Sequence, residues 1–303
     1  MFCLGSGSLL FCYAPGMAEK PSVAIVGPGN LGTALAVALK RAGYSIEIVM
    51  SRRTPASSKR ARALARELSA RFRDDLQALT ASVIWFCVPD SQIAKSSSEM
   101  AKALKSAKGI TALHSSGALA SDELKSLHQR GARVASIHPL MTFVAGSRPS
   151  LAGVPFAIEG DAAAVRQARR IVIDLGGAAY SIRKKDKAAY HAWGAFASPL
   201  LTSLLAASER VAKLAGVERK SVQRRMIPIL LQTLANYASF GAAGAFSGPI
   251  VRGDVRTVKK HLDVLRKAPT ARDAYCALVR AALQYLPAKN KSALKKLLSA
   301  RGD

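Results

Sequence analysis

The strongest constraint on the fold is a glycine-rich segment that joins an apolar run to a helical pattern. Residues 23–26 are apolar, and three glycines follow with the spacing G-x-G-x-x-G, at Gly27, Gly29 and Gly32. A helical pattern then runs to Ala42. In dinucleotide-binding domains this order places a pyrophosphate at the helix N-terminus, where backbone N–H groups and the helix dipole hold negative charge. The segment therefore predicts a strand, a tight turn and a helix that bind a dinucleotide.

Each glycine has a separate role in such a turn. Gly27 makes the turn, Gly29 lets the backbone approach the phosphates, and Gly32 allows close packing of helix and strand. A glycine-rich turn that binds nothing is the alternative. The residue after Gly32 is Thr33 and not lysine, which excludes a phosphate loop of the G-x-x-x-x-G-K type. The predicted cofactor-binding residues of this turn are Gly27, Pro28, Gly29, Asn30, Leu31 and Gly32.

The end of the second predicted strand, at 45–50, indicates which dinucleotide is bound. An NAD site usually has an acidic residue about 20 positions after the motif, which binds the ribose hydroxyls. Here those positions carry Ser51, Arg52 and Arg53. A carboxylate would repel a 2′-phosphate, whereas a hydroxyl and two guanidiniums can bind it. The predicted cofactor is therefore NADP, with a solvated arginine pair at a strand end as the alternative.

The charge of the chain limits its partners. Lysine and arginine number 45 against 19 acidic residues, which gives a formal net charge of +26 and raises the possibility of nucleic-acid binding. However, the basic residues are spread over predicted helix faces, and the sequence has neither a recognition-helix nor a zinc-finger motif. We therefore expect no specific nucleic acid as partner. A generally basic surface favours a phosphorylated cofactor and an anionic small-molecule substrate.

Length, hydropathy and cysteine content bear on domains and location. The 303 residues suit two domains, and the absence of an apolar run of 18 residues predicts no membrane span. The four cysteines form no C-x-x-C pair and no metal-ligand spacing, which favours a reducing, cytoplasmic location and no metal site. Residues 1–20 are expected to be a disordered or mis-assigned extension with Met17 as the translation start, because they lack the positive region of a secretory signal.

Polar residues follow three further predicted strands. Apolar runs at 83–88, 110–113 and 134–137 are typical of parallel strands that are covered on both faces. Because ligands of open α/β sheets bind outside the carboxyl ends of the strands, the residues that follow should form one cleft with the glycine turn. The predicted cofactor contacts there are Val88, Pro89, Asp90, Ser115 and Ser116, and the predicted polar contacts to nicotinamide or substrate are His114 and His138. Both histidines could instead cap loop backbone groups.

The sequence pattern changes near residue 183. Short strands at 154–159 and 178–182 precede this point, and only helical periodicity follows it, over 186–215, 219–240, 254–267, 270–285 and 290–300. We therefore predict an α/β fold with a Rossmann-like, mostly parallel sheet domain at 21–183. An all-α domain at 184–303 should follow it, bind substrate and form a homodimer.

Several motifs in this order resemble one bacterial family. They are Val-Pro-Asp at 88–90, His-Ser-Ser-Gly-Ala-Leu at 114–119, His-Pro-Leu-Met-Thr-Phe at 138–143, Tyr-His-Ala at 190–192 and Gly-Pro-Ile-Val-Arg-Gly-Asp at 248–254. The family joins a Rossmann-like NADP domain to a helical C-terminal domain of unknown function. It is related to ketopantoate reductase, pyrroline-5-carboxylate reductase and the deazaflavin-dependent NADP oxidoreductases. The resemblance implies an NADP-linked oxidoreductase fold whose second domain is like the C-terminal domain of 6-phosphogluconate dehydrogenase.

The candidate chemistry rests on histidine. Reduction of a C=O or C=N bond by NADPH needs a held hydride donor, a proton source and an oriented substrate, and histidine is the natural proton source near neutral pH. His191 lies on a predicted helix, and Lys187 lies on the same face at i−4. The predicted catalytic residues are His191, Lys187, His114 and His138, and the predicted substrate-binding residues are Asn236 and Arg252. Each has a structural alternative: a bonded histidine, a solvated lysine, a backbone-bound asparagine, or an ion pair of Arg252 with Asp254.

The sequence thus favours an NADP(H)-dependent oxidoreductase that reduces a small oxo or imino compound at an interdomain cleft. A departure from the family pattern keeps a second function open. Pro199 stands where relatives typically carry an asparagine that would face the nicotinamide. The alternative function is therefore an NADP-binding sensor or scaffold without turnover, and a basic nucleic-acid binder is a third.

Overall fold

The chain forms two compact units that divide between Gly194 and Ala195, here called unit 1 and unit 2. The structure is a computed structural model that describes residues 20–51, 54–74 and 80–299. Residues 1–19 of the expected N-terminal extension lie outside the described residues, and the boundary near residue 183 stays a prediction. None of the described helices is long and apolar enough to cross a membrane.

The described part of unit 1 is built on an eight-stranded sheet. The strands are β1 (Val23–Val26), β2 (Ile46–Met50), β3 (Arg71–Arg73), β4 (Val83–Phe86), β5 (Thr111–His114), β6 (Arg133–Pro139), β7 (Pro155–Gly160) and β8 (Ala178–Ser181). Their order is β3-β2-β1-β4-β5-β6-β7-β8, and all pairs are parallel except the antiparallel pair β6–β7. The expected mostly parallel α/β sheet is therefore confirmed.

Helices cover both faces of this sheet. They are α1 (Asn30–Arg41), α2 (Pro55–Leu68), α3 (Asp90–Ala103), α4 (Lys125–His128) and α5 (Ala162–Asp174), with short 3₁₀ turns at Ser121–Leu124 and Lys184–Asp186. Helix α6 (Lys187–Ala197) follows and contains the division between the units. Helices α1, α2 and α5 pack on one face, where Trp85 is buried. Helices α3 and α4 pack on the other, where Phe86 is buried. Neighbouring residues of β4 thus point to opposite cores, as expected for a strand covered on both faces.

The described part of unit 2 is helical. Its helices are α7 (Pro199–Leu214), α8 (Arg219–Ala245), α9 (Pro249–Arg252), α10 (Val255–Leu265), α11 (Pro269–Tyr285) and α12 (Lys291–Ser299). Helices α10, α11 and α12 share a core that includes Val258, Val279 and Leu294. The expected helical C-terminal region is therefore confirmed.

Two elements differ from the sequence-based expectation. The helix expected over 186–215 is interrupted at Ser198, whose backbone is not helical, and Pro199 begins the next helix. Proline lacks an N–H and fixes φ, so it suits the first turn of a helix and not its interior. The short edge strand Arg71–Arg73 was not expected, because its charged residues do not show an apolar strand pattern.

Candidate functional site

The glycine turn has the geometry that its sequence predicts. Gly27 has φ of +99°, and a Cβ there would lie 2.7 Å from the Cys87 carbonyl oxygen. A Cβ on Gly32 would lie 2.1 Å from the Gly27 carbonyl oxygen, so only glycine allows α1 to approach β1 this closely. A Cβ on Gly29 would meet nothing within 4 Å. The backbone at Gly29 therefore faces open space, where a ligand could approach it.

The N-terminus of α1 is suited to an anion. Gly29 is its N-cap and provides no side chain to cap the first turn, and this turn carries no acidic residue. The first N–H groups of a helix have no partner within the helix and lie at the positive end of its dipole. Asn30 is exposed, and its Nδ2 donates to the Phe143 carbonyl oxygen over 3.2 Å. Pro28 is buried and Leu31 packs against the core, so these two side chains anchor the turn to the core.

The residues that should select NADP are only partly described. Ser51 follows β2 directly and is half-buried. Arg52 and Arg53 lie outside the described residues, so their contact with a 2′-phosphate stays a prediction. Thr54, the next described residue, caps α2 by accepting from the Ser57 N–H.

The turn after β4 is tied to the loop after β5. Pro89 is the N-cap of α3, and the carboxylate of Asp90 accepts a hydrogen bond of 2.8 Å from the Ser116 hydroxyl. The Ser115 hydroxyl accepts a hydrogen bond from the Trp85 indole, also over 2.8 Å. Val88, beside Pro89, lies close to Gly27. The structure therefore brings the predicted cofactor contacts of the two loops together with the glycine turn.

His114 is a buried, neutral histidine. Its Nε2 lies 2.9 Å from the Ala120 carbonyl oxygen, and its Nδ1 accepts from the Ser116 N–H over 3.1 Å. Burial lowers the pKa of His114 to about 4, and the positive charge of Lys187 acts in the same direction. Since both ring nitrogens bond loop backbone groups, the geometry of His114 is that of a loop-capping histidine.

Lys187 is fully buried at the start of α6. Its Nζ donates to the Ser136 hydroxyl over 2.7 Å and to the Ser116 carbonyl oxygen over 3.0 Å. Burial lowers the pKa of Lys187 below its ordinary value. The solvated lysine considered from the sequence is therefore not what the structure shows. Lys187 instead joins α6 to β6 and to the loop that carries Ser116.

His138 and His191 meet above Gly117. Their ring centroids lie 6.0 Å apart, and a Cβ on Gly117 would lie 2.6 Å from His191 Cδ2 and 2.9 Å from His138 Nε2. His191 is exposed, whereas His138 is half-buried. Burial lowers the pKa of His138 to about 4, and Lys187 and then His191 contribute to the same shift. Two imidazoles with different solvent access thus lie beside one another in unit 1.

Three contributing residues escaped the sequence analysis. Tyr190 is buried, and its hydroxyl lies 2.9 Å from His138 Nδ1. Ser136 is fully buried and receives the Lys187 ammonium; a serine inside the apolar strand Val134–Ile137 was a usable signal. The sequence around Gly117 shows no turn pattern. The structure explains the absence of a side chain, because the His138 and His191 rings lie next to this position.

The predicted substrate-binding residues lie in unit 2. Asn236 is on α8, where its Oδ1 accepts from Gln232 Nε2 over 2.8 Å. Arg252 ends α9 and is exposed. Asp254 is the N-cap of α10. Its carboxylate accepts hydrogen bonds from Thr257, which is the main cause of its lowered pKa, and the charge of Arg252 lowers this pKa further. The described residues contain no cluster of His, Cys, Asp and Glu that could hold a metal ion.

Comparisons with known proteins concern most of the chain. A Rossmann-like domain profile matches residues 17–139, and the profile of DUF2520, a domain of unknown function, matches residues 154–282. Comparison with the curated proteins gives no match.

Solved structures share the fold over both matched regions. A candidate NADP oxidoreductase of Bacteroides fragilis is 22% identical, with a TM-score of 0.73 over 86% of this chain and 97% of that one. A reductive aminase from Aspergillus terreus in complex with NADPH and ethyl-5-oxohexanoate is 16% identical, with a TM-score of 0.65 over 92% and 99%. An imine reductase from Pseudomonas sp. is 22% identical, with a TM-score of 0.61 over 92% and 100%.

Proposed function

We propose that this chain is an NADP(H)-dependent oxidoreductase. It joins a Rossmann-like domain to a DUF2520 domain, as the sequence resemblance implied. Its substrate would be a small oxo or imino compound. The observation that carries the proposal is the glycine turn, in which Gly27 and Gly32 leave no room for a side chain while Gly29 opens onto free space at the N-terminus of α1. Similarity in fold to reductases solved with NADPH supports the same class of cofactor.

The residues present fit a nicotinamide dinucleotide. The first turn of α1 would hold the pyrophosphate through backbone N–H groups. Ser51, Arg52 and Arg53 would bind the 2′-phosphate, which makes NADP the proposed form. When bound, the nicotinamide ring supplies the hydride. The loops at 88–90 and 115–116, which bond each other through Asp90 and Ser116, would line the cofactor.

The protonation chemistry is proposed to rest on the histidines of unit 1. His191 is exposed to solvent, and it would donate the proton that accompanies hydride transfer to the oxygen or nitrogen of the substrate. His138 would contact the same atom as a neutral imidazole. Lys187 and His114, whose polar atoms bond the loop around Ser116, would position that loop.

Two polar side chains of unit 2 remain proposed substrate contacts. Arg252 is exposed at the end of α9 and could bind an anionic substrate, as arginine binds carboxylates bidentately. Asn236 would orient the substrate through its amide. The proposal includes a cytoplasmic location, where the free thiols of Cys87 and Cys276 would stay reduced.

The second candidate function is NADP binding without turnover, in a sensor or scaffold. Pro199 favours this function, because it replaces the asparagine expected beside the nicotinamide. It is the first residue of α7 and has neither an N–H nor a polar side chain. Proline cannot hydrogen-bond a carboxamide or a substrate through its side chain. The protein would then bind the cofactor tightly and reduce nothing.

We also propose that the chain forms a homodimer through α8. Six large apolar side chains of this helix are between 49% and 69% exposed: Ile227, Ile229, Leu231, Leu234, Tyr237 and Phe240. Unit 2 also has an apolar groove of about 920 Å³ between α7, α10 and α11. Exposed apolar surface of this kind marks protein–protein interaction sites, and a stable interface buries roughly 800 Å² on each partner. A second copy offers the same helix and groove, so each could cover the other.

The proposed function is tested by cofactor binding and turnover. NADPH binding is measured by calorimetry, and loss of nicotinamide absorbance is followed with panels of 2-oxo acids, ketones mixed with amines, and cyclic imines. Substrate-dependent oxidation that falls in His191→Ala, at unchanged NADPH affinity, supports the oxidoreductase. Binding without oxidation of any panel member supports the sensor, and no binding of either nicotinamide dinucleotide overturns both.

A further inference from the structure

Tyr190 holds His138 from the side away from Gly117. The Tyr190 hydroxyl lies 2.9 Å from His138 Nδ1, and the rings meet edge to face with centroids 5.5 Å apart. The other ring nitrogen, Nε2, lies beside Gly117, 2.9 Å from the position that a Cβ on this residue would take. The two nitrogens of His138 therefore have different partners, one inside the protein and one at the Gly117 position.

The Tyr190 hydroxyl is itself enclosed. Its ring contacts Tyr180 and Trp193 at centroid distances of 6.3 and 6.1 Å. Burial raises the pKa of Tyr190 well above its ordinary value, and a hydrogen bond with the Tyr180 side chain adds to the shift. Tyr190 thus keeps its proton. Its oxygen can accept a hydrogen bond from Tyr180 while its single O–H donates to His138.

Burial and the neighbouring basic groups keep His138 uncharged. Burial is the main cause of its low pKa, and Lys187, His191 and His114 each act in the same direction. A neutral imidazole carries one proton, on Nδ1 or on Nε2, and the hydrogen bond of the other nitrogen decides which. At His138, a donor at Nδ1 would leave the proton on Nε2.

We propose that Tyr190 is a positioning residue that donates to His138 Nδ1 and thereby fixes the tautomer of His138 with its proton on Nε2. His138 then presents a neutral N–H donor at Gly117. Under the proposed oxidoreductase function, on which this second part rests, that N–H hydrogen-bonds the oxygen or nitrogen that gains electron density during hydride transfer. No proton leaves His138 in this step, because the proton that completes the reduction comes from His191.

Unit 2 contains a matched pair for comparison. His261 Nδ1 lies 3.0 Å from the Tyr275 hydroxyl, with ring centroids 5.9 Å apart and an interplanar angle of 85°, close to the 87° of the His138–Tyr190 pair. The two pairs share their chemistry and geometry. Tyr275→Phe is therefore the control for Tyr190→Phe, since it removes the same hydroxyl from another histidine.

The test is nitrogen NMR of the full chain labelled with ¹⁵N-histidine at pH 7, where the ring nitrogen shifts report the tautomer. The signal of His138 is assigned by its loss in His138→Gln. Wild-type protein should show His138 with a protonated Nε2 and an unprotonated Nδ1, and Tyr190→Phe should shift His138 toward a mixture of tautomers. Tyr275→Phe should change the signals of His261 only. A wild-type His138 that carries its proton on Nδ1, or a folded Tyr190→Phe with an unchanged tautomer, overturns the proposal.

The NMR test does not depend on whether Tyr190→Phe folds, nor on whether the proposed function is right. The wild-type spectrum alone decides the tautomer if Tyr190→Phe does not fold. If no substrate is ever reduced, the oxidoreductase proposal fails while the NMR result still decides the role of Tyr190. With a substrate in hand, Tyr190→Phe should lower kcat roughly 5- to 10-fold, the effect of one lost hydrogen bond, at unchanged affinity for NADPH. An unchanged kcat overturns the second part.

Discussion

Lys187 donates a hydrogen bond of 2.7 Å to the Ser136 hydroxyl from a position with no solvent exposure, and so fastens α6 to β6. The ammonium lies in the first turn of its own helix, at the end of the helix dipole that disfavours positive charge. The Ser136 hydroxyl and the Ser116 carbonyl oxygen offset this cost. The charge also reaches two imidazoles, because Lys187 contributes to the lowered pKa of both His114 and His138.

Replacing Lys187 by methionine should change both the stability of the protein and the pKa of His138. The Ser116 carbonyl oxygen and the Ser136 hydroxyl would each lose a hydrogen bond from a charged donor, which costs about 1–3 kcal/mol of unfolding free energy. Removal of the charge should raise the pKa of His138. Urea unfolding and NMR titration measure the two effects. Lys184→Met, which removes an exposed ion pair with Asp122, should cost less than about 1 kcal/mol; equal losses in the two variants would contradict the role of Lys187.

Alanine at two glycines of the turn should separate folding from binding. In Gly32→Ala the new Cβ meets the Gly27 carbonyl oxygen, so stability should fall by at least roughly 1–3 kcal/mol. Gly29 has φ of −75° and open space around it, so Gly29→Ala should change stability by less than about 1 kcal/mol. Its methyl group would occupy the path of the pyrophosphate, and NADPH affinity should fall roughly 10-fold or more. Calorimetry that shows full affinity in Gly29→Ala would remove the phosphate site from this turn.

The double substitution Arg52→Ala, Arg53→Ala should weaken NADPH far more than NADH. Loss of the guanidinium bonds to a phosphate costs about 1.5–3 kcal/mol for each arginine, so NADPH affinity of the double variant should fall by roughly 100-fold or more while NADH affinity stays nearly constant. Fluorescence titration with both dinucleotides measures the difference. Arg130→Ala, at an exposed site after α4, is the control. Equal losses for both dinucleotides would contradict the assignment of NADP.

The buried His114 should make stability depend on pH. Its pKa is about 4 in the folded protein and near 6.5 in the unfolded chain, so the unfolded chain binds more protons between these values. Stability is therefore full above pH 6.5 and is lost as the pH falls toward 4, by on the order of 3 kcal/mol for this one group. His114→Gln, which does not titrate, should lose less over the same range in urea unfolding. Parallel pH profiles of variant and wild type would refute the neutral, buried state.

A charge on the apolar surface of α8 should dissociate the proposed homodimer. Leu231→Asp and Leu234→Asp place carboxylates among side chains that the partner would cover, and burial of an unpaired charge is unfavourable. Light scattering after size-exclusion chromatography should give a dimer for wild type and a monomer for each variant. Gln223→Asp, an exposed polar position on the same helix, should stay dimeric. A monomeric wild type would overturn the homodimer.

Much of the fold could be predicted from the sequence, because local patterns determine it. The apolar runs at 83–88 and 110–113 form the strands Val83–Phe86 and Thr111–His114, and the glycines of the turn give the connection at the expected place. The family resemblance is confirmed by the two domain matches. Helical periodicity, in contrast, continues through residue 198, so it gave no sign that Pro199 begins a new helix.

The candidate site was less accessible, because tertiary contacts decide it. The spacing of Lys187 and His191 predicts one helix face, and both do approach the loop at 116–117. Spacing could not show that one is fully buried and the other exposed. Tyr190 precedes His191 in the sequence, yet nothing local pairs it with a histidine 52 residues earlier.

Gly117 has an evolutionary consequence, because its single hydrogen serves as the spacer between two imidazole rings. A side chain fits there only if the rings move, since a Cβ would lie 2.6 Å from His191 Cδ2 and 2.9 Å from His138 Nε2. A substitution at position 117 should therefore be accompanied by a change at His138 or His191. Homologous chains that carry alanine or serine at this position should carry a smaller residue in place of one of the two histidines, so the three positions should covary.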